Sequence, residues 1–246
     1  MRLLIINPNT TEAVTRKVAD AAARALPGVS ITARSGRFGA AYISSRSSFA
    51  VAGHAALDCL AEHGAGADTV LLACFGDPGL DALREVSPAP VIGLVEASCA
   101  EAGSDGRRFA IVTGGELWGP MLREMIAVRG IGAHLTRIVT VAPTGGQIAA
   151  DPEGSKAMLA EACRNAAATT GAQAVVLGGA GLLGLAADVE RMSGVRVICS
   201  VEAGFRAAAR SLASTHDVLP KSISIPATPS VGLSPALEAM FLKGGL

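Results

Sequence analysis

Gly66-Ala-Asp-Thr-Val-Leu-Leu-Ala-Cys74 and Gly171-Ala-Gln-Ala-Val-Val-Leu-Gly-Gly179 are one apolar tract written twice, 105 residues apart. Two further pairs flank it in the same order. Arg2-Leu-Leu-Ile-Ile-Asn7 matches Arg108-Phe-Ala-Ile-Val-Thr113, and Val91-Ile-Gly-Leu-Val-Glu-Ala97 matches Val197-Ile-Cys-Ser-Val-Glu-Ala203, each at an offset of 106. One match of apolar tracts carries little; three in order at nearly one offset make a duplicated unit the better explanation. The runs are continuous rather than alternating, as parallel strands buried on both faces require. Ala-rich amphipathic stretches lie between them, at 11–26, 47–62, 117–129 and 155–170. Asn9-Thr10-Thr11-Glu12 offers N-capping chemistry to the first of these, and Asp151-Pro152-Glu153 opens the last with Pro at the first helical position.

The pattern predicts an α/β protein of two pseudosymmetric domains, each a parallel, flavodoxin-like sheet flanked by helices, with a site in the cleft between them. The first domain is placed at 1–98 and the second at 99–205. Residues 206–246 form a C-terminal helix and a tail that return to the first domain. That tail is loop-like from Pro220 through Ile225-Pro-Ala-Thr-Pro-Ser230, before a last short helix at 235–242.

Composition bounds the function. Of 246 residues half are hydrophobic and 17% charged, which excludes a disordered chain. Aromatics are only 3%, so Ala, Val, Leu and Ile must build the core. Lys plus Arg equals Asp plus Glu at 21 each, which argues against nucleic acid or an anionic membrane as partner. The five cysteines, Cys59, Cys74, Cys99, Cys163 and Cys199, show no metal-ligand spacing. Their odd number reads as reduced thiols in a cytoplasm. Only four apolar residues separate Arg2 from Asn7, too few for a secretory leader, and no stretch of spanning length is free of Gly, Pro and charge.

In open parallel sheets, ligands bind beyond the carboxyl ends of the strands. Two related units would gather those ends around one site. The residues to inspect are then Asn7-Pro8-Asn9-Thr10 against Thr113-Gly114-Gly115, and Cys74-Phe75-Gly76-Asp77-Pro78-Gly79 against Gly179-Ala180-Gly181. With no GxxxxGK[ST] in the chain, the expected ligand is a small anionic or carbonyl-containing molecule.

These motifs resemble the hydantoin and allantoin racemase branch of the aspartate/glutamate racemase superfamily. Asn7-Pro8-Asn9-Thr10 looks like that branch's opening, and Cys74-Phe75-Gly76-Asp77-Pro78-Gly79-Leu80 is similar to its first catalytic cysteine loop. Pro90-Val91-Ile92-Gly93, Glu96-Ala97 and the Val112-Thr113 strand end also fit. The resemblance implies cofactor-free proton transfer at a carbon next to a carbonyl, with Cys74 as one proton carrier. It further implies a substrate lined by Asn7, Thr10, Phe75, Gly76, Thr113, Gly114, Gly179, Ala180 and Gly181. Together with the Ala-rich helices it points to a homo-oligomer.

One position departs from the resemblance. The family's second cysteine lies in a Leu-Gly-Cys-Ala-Gly type loop, and here the loop is Leu177-Gly178-Gly179-Ala180-Gly181. Glycine carries no proton. Tyr42, His54 and Cys199 are the titratable candidates for the vacant face, and water is another. Alternatively one thiol suffices, as in the related arylmalonate decarboxylases, whose cysteine belongs to the second domain's loop rather than the first. A third reading is a non-catalytic small-molecule binder.

Other residues have plainer readings. Cys59, Cys163 and Cys99 read as buried, inert thiols. Thr10 could act only as a cap and Thr113 only as a strand residue. Tyr42-Ile43-Ser44-Ser45-Arg46 holds the sole Tyr in a connection expected to overhang the cleft, where Ser45 and Arg46 could meet a carboxylate. Glu96 and Glu202 recur in both copies and read as braces of the following helix. His63, His134 and His216 read as ordinary exposed residues.

Overall fold

A computed structural model describes residues 1–214 and 226–246. The loop expected at 220–225, and His216, fall outside the described residues. Two four-stranded parallel sheets follow one another along the chain. The first contains β1 (Arg2–Asn7), β2 (Ser30–Ser35), β3 (Thr69–Leu72) and β4 (Val91–Gly93), in the order β2-β1-β3-β4. The second contains β5 (Phe109–Gly114), β6 (Leu135–Val141), β7 (Ala174–Gly178) and β8 (Val197–Cys199), in the order β6-β5-β7-β8. The same order in both sheets is the structural counterpart of the sequence repeat.

Ten helices connect and cover these strands among the described residues. They are α1 (Glu12–Ala25), α2 (Arg46–His63), α3 (Leu80–Val86), α4 (Leu94–Ala102), α5 (Trp118–Val128), α6 (Gly145–Ala150), α7 (Pro152–Thr170), α8 (Ala186–Ser193), α9 (Ser200–Ala213) and α10 (Pro235–Lys243). None is long and apolar enough to cross a membrane. The edge strands β2 and β6 have no partner among the repeated tracts because their outer flanks stay half-buried, so they read Ser-Ile-Thr-Ala-Arg-Ser and Leu-Thr-Arg-Ile-Val-Thr-Val. The central strands β1, β3, β5 and β7 are buried almost throughout.

The two halves share a core. Alternate residues of β1 face opposite ways: Leu4 and Ile6 pack with α2, α3 and α10 side chains, whereas Leu3 and Ile5 join a cluster that continues into β5 and β7. Helix α4 leaves the first sheet and packs on β7, while α9 leaves the second and packs on β3 and α4. Helix α10 lies on α2, with Leu237 and Met240 buried among Ala56, Cys59 and Leu60.

Capping differs from expectation at α1. Thr11, not Thr10, is the N-cap, and its hydroxyl donates to the Ala41 carbonyl at 2.7 Å instead of accepting from the helix. Asp151 caps α7 by accepting from the Gly154 N–H, with Pro152 at the first helical position. Ser45 caps α2 by accepting from the Ser48 N–H.

Candidate active site

The chain runs from β1 to β2 on one side of the first sheet and returns to β3 and β4 on the other. The order therefore reverses between β1 and β3, and likewise between β5 and β7. Such switch points open a crevice beyond the strand ends, because the two adjoining connections leave on opposite faces. Here the crevices of the two sheets contribute to one cavity of about 480 Å³. Its wall includes Cys74 and Phe75 after β3, Thr113 and Gly114 at the end of β5, and Gly178 to Leu182 after β7. Asn9, Thr11, Val14 and Lys17 from the α1 region, Tyr42, Trp118 and Gly145-Gly146 complete most of the remainder.

Cys74 sits at the bottom, 8% exposed. Its carbonyl accepts from the N–H groups of Gly76 (3.0 Å) and Asp77 (3.1 Å), which folds the following residues into a tight turn. Asp77 has φ 51°, an uncommon backbone for a residue with a side chain. That turn is tolerated because the Asp77 carboxylate, fully buried, accepts from the Val95 and Glu96 N–H groups opening α4. Arg129, at the end of α5, adds a cation 3.8 Å away and also bridges Asp81 and Glu96. Burial raises the Asp77 carboxyl to about 7 despite these partners. Burial also pushes the Cys74 thiol up, with Asp77 adding to the shift.

The opposite wall is glycine backbone. Gly179 has φ 133° and ψ 135°, a region essentially closed to residues with a Cβ. A Cβ there would also come within 3.2 Å of Leu182. Its N–H donates to Ser200 Oγ at 3.1 Å. Gly178 is excluded from bearing a side chain for another reason: the Phe75 ring lies where its Cβ would stand. Thr113 Oγ1 donates to the Gly178 carbonyl at 2.8 Å, tying the ends of β5 and β7 together.

Tyr42 reaches across from the first half. Its hydroxyl donates to the Gly114 carbonyl (3.3 Å) and accepts from the Gly145 N–H (3.1 Å), both in the second half. Burial raises its phenol above the ordinary value, and Cys74 adds to the shift. Among the titratable candidates for the vacant face, only Tyr42 lines the cavity. His54 is exposed against the Phe38 ring. Cys199 is buried at the end of β8 and lies outside the lining.

Several expected ligands have partners within the protein. Asn7 is fully buried, and its amide donates to Asn9 Oδ1 and Thr15 Oγ1, both at 2.9 Å; it braces the start of α1. Thr10 binds the Ala40 carbonyl through its N–H and does not line the cavity. Their neighbours Asn9 and Thr11 line it instead. Gly76 faces a separate depression, packed against the Trp118 ring. Ser45 is committed to capping α2 and Arg46 to Glu124. Glu96 pairs with Arg84 and Arg129, so it braces three helices while Asp77 caps α4. His63 is half-buried rather than exposed, and His134 is exposed.

Sequence reasoning placed Asn9 in a strand-end stretch to inspect but did not find Thr11, Lys17, Trp118 or the Gly145-Gly146 turn as lining residues. The last carried a signal: Thr144 and Gln147 form a capping box straight after β6, at the same end of the sheet as the other loops. Among the described residues no group of three or more His, Cys, Asp or Glu side chains is placed to hold a metal ion.

The relation to known proteins agrees with this geometry. A family model described as Asp/Glu/Hydantoin racemase matches residues 3–208. The chain belongs to that racemase family. Membership makes it an isomerase of the racemase class. The hydantoin racemase of Paenarthrobacter aurescens is 35% identical over 213 residues, covering 85% of this chain and 89% of that protein. The allantoin racemase from Klebsiella pneumoniae superposes with a TM-score of 0.79 at 31% identity, covering 92% of this chain and 96% of that one. An arylmalonate decarboxylase shares the fold, at 20% identity and a TM-score of 0.59 over 88% of this chain and 94% of its own.

Proposed function

We propose that the protein is a cofactor-independent racemase of a neutral cyclic amide of the hydantoin type, with Cys74 and Tyr42 as the two proton carriers. The single observation carrying this is the meeting of Cys74 and the Tyr42 hydroxyl in one cavity whose far wall holds glycine where the family's second thiol is expected. In the forward step the C–H proton passes to the Cys74 sulfur as thiolate, and the bonding pair moves into the adjacent carbonyl. The Tyr42 hydroxyl then returns a proton to the carbon, the electron pair flows back, and solvent resets both groups. General acid–base catalysis of this kind contributes on the order of 10²–10⁴-fold.

Backbone donors are available for the developing oxyanion. The N–H groups of Phe75 and Ala180, one after each repeated strand, have no acceptor among the described residues, and both residues line the cavity. Oriented donors of this sort stabilise an enolate-like charge by several kcal/mol. Charge supports a neutral ring. Among the described residues the lining contains no carboxylate, so the ammonium group of a free amino acid would be left without a partner.

The test is loss of optical rotation from single enantiomers of 5-substituted hydantoins and of the matching free amino acids. The reading expects activity on the hydantoins; turnover of free amino acids alone would overturn it. A second reading is favoured by the resting state of the thiol, which burial keeps protonated and so ready to donate. A one-thiol lyase would use it to protonate the enediolate left when a substituted malonate loses carbon dioxide. Carbon dioxide release without racemisation would select that reading. A homo-oligomer remains part of the proposal, checked by mass in solution.

A further inference from the structure

Among the described residues, Lys17 on α1 is the only one lining the cavity that carries a formal charge. Its place follows from helix geometry. Ala13 and Val14 also line the cavity, four and three residues before it, so all three share one face of α1. Helical side chains lean toward the helix N-terminus, which directs the Lys17 stem back over that face toward the cavity. Lys17 also borders a second depression between α1 and α9, so it stands at the rim, where the cavity meets solvent.

Its charge is uncommitted. Among the described residues Lys17 makes no ion pair within 4 Å. Elsewhere in the chain Lys156 is bound by both Glu153 and Asp188. The carboxylate that shares the second depression with Lys17, Glu202, sits 3.9 Å from Arg206, which also holds Glu101. The lining that Lys17 and Cys74 share includes the apolar side chains of Val14, Ala41, Ile43 and Ala73.

We infer that Lys17 selects substrates whose ring substituent ends in an anion, a carboxylate carried a few carbons from the reacting centre. This deepens the racemase reading and rests on it: the ring is held at the Cys74 end while a short apolar linker runs to the rim and its carboxylate meets the ammonium. A cation at a partly exposed rim contributes modestly and is weakened by salt.

The experiment compares 5-(2-carboxyethyl)hydantoin with its neutral counterpart 5-(2-carbamoylethyl)hydantoin, by Kd from calorimetry and by kcat/KM. Wild type, Lys17→Gln and Lys17→Glu are compared at low and high salt. The expected result is about a tenfold preference of wild type for the carboxylate, loss of that preference in K17Q, reversal in K17E, and attenuation by salt. The neutral ligand should bind all three proteins alike, which shows that the variants remain folded. An unchanged carboxylate-to-amide ratio across the three proteins overturns the assignment. Charge-selective binding without turnover would refute the racemase reading and leave the Lys17 selection standing. Failure of both ligands to bind or react would overturn both.

Discussion

The loop after β3 and the loop after β7 occupy equivalent places in two sheets of the same strand order, yet they are held by different means. The first ends in Cys74 and is pinned through Asp77 to the start of α4 and to Arg129. At the repeat offset of 105, Asp77 falls on Leu182, which cannot cap a helix. The start of α9 has no side-chain cap at Cys199, and Gly179 is steadied by Ser200. Duplication thus gives a symmetric backbone cradle, while the chemistry on each side is free to diverge. The second half has kept the cradle, and under the proposed mechanism the proton-carrying role falls to a residue from the first half, Tyr42.

The largest expected effect is on the thiol side. Cys74→Ala should lower racemisation by on the order of 10³-fold or more while the thermal midpoint stays close to wild type, read by polarimetry and calorimetry. On the other side, Tyr42→Phe keeps the ring but removes the proton; a fall in kcat of about 10²-fold with little change in KM is expected. An effect on KM alone would make Tyr42 a wall rather than a proton carrier.

Gly179→Ala should cost about 1–3 kcal/mol of stability, since its φ admits no Cβ without strain. For a chain of this length that is a fall of a few degrees per kcal/mol in the thermal midpoint. The first loop offers no matching test, because Cys74, which stands at the position equivalent to Gly179, already bears a Cβ.

Asp77 gives the smallest and most specific signal. Its folded carboxyl, at about 7, lies above the ordinary value of about 4. Folding therefore favours its protonated form. The corresponding stability is fully present below pH about 4 and is lost as pH rises through about 7. In Asp77→Asn, neutral at every pH, melts recorded from pH 4 to 8 should show a shallower decline than wild type. An identical decline would mean that another group governs that window.

The fold was legible because fully buried parallel strands must be continuously apolar, and three such tracts recur in each half. The edge strands β2 and β6 were not legible for the converse reason, since a half-buried edge admits Thr, Arg and Ser. At the site, Cys74 could be seen in the sequence because a strand end entering a Gly/Pro turn sits at a switch point. Asn7 could not be placed: a buried amide bracing Thr15 and one facing a ligand look the same in a motif. Arg46 falls in the same class, its partner Glu124 being fixed only by packing. Lys17 escaped notice because an exposed helical lysine gives no signal until the cavity rim is known.

The Cys74 proton itself can be followed. Proton NMR of one hydantoin enantiomer in heavy water, with wild type and with Cys74→Ala, reads exchange at the ring carbon directly. Loss of the carbon-bound proton signal with wild type, in step with racemisation, and its persistence with the variant are the predicted results. Exchange by Cys74→Ala at the wild-type rate would contradict the assignment of Cys74 as the proton carrier.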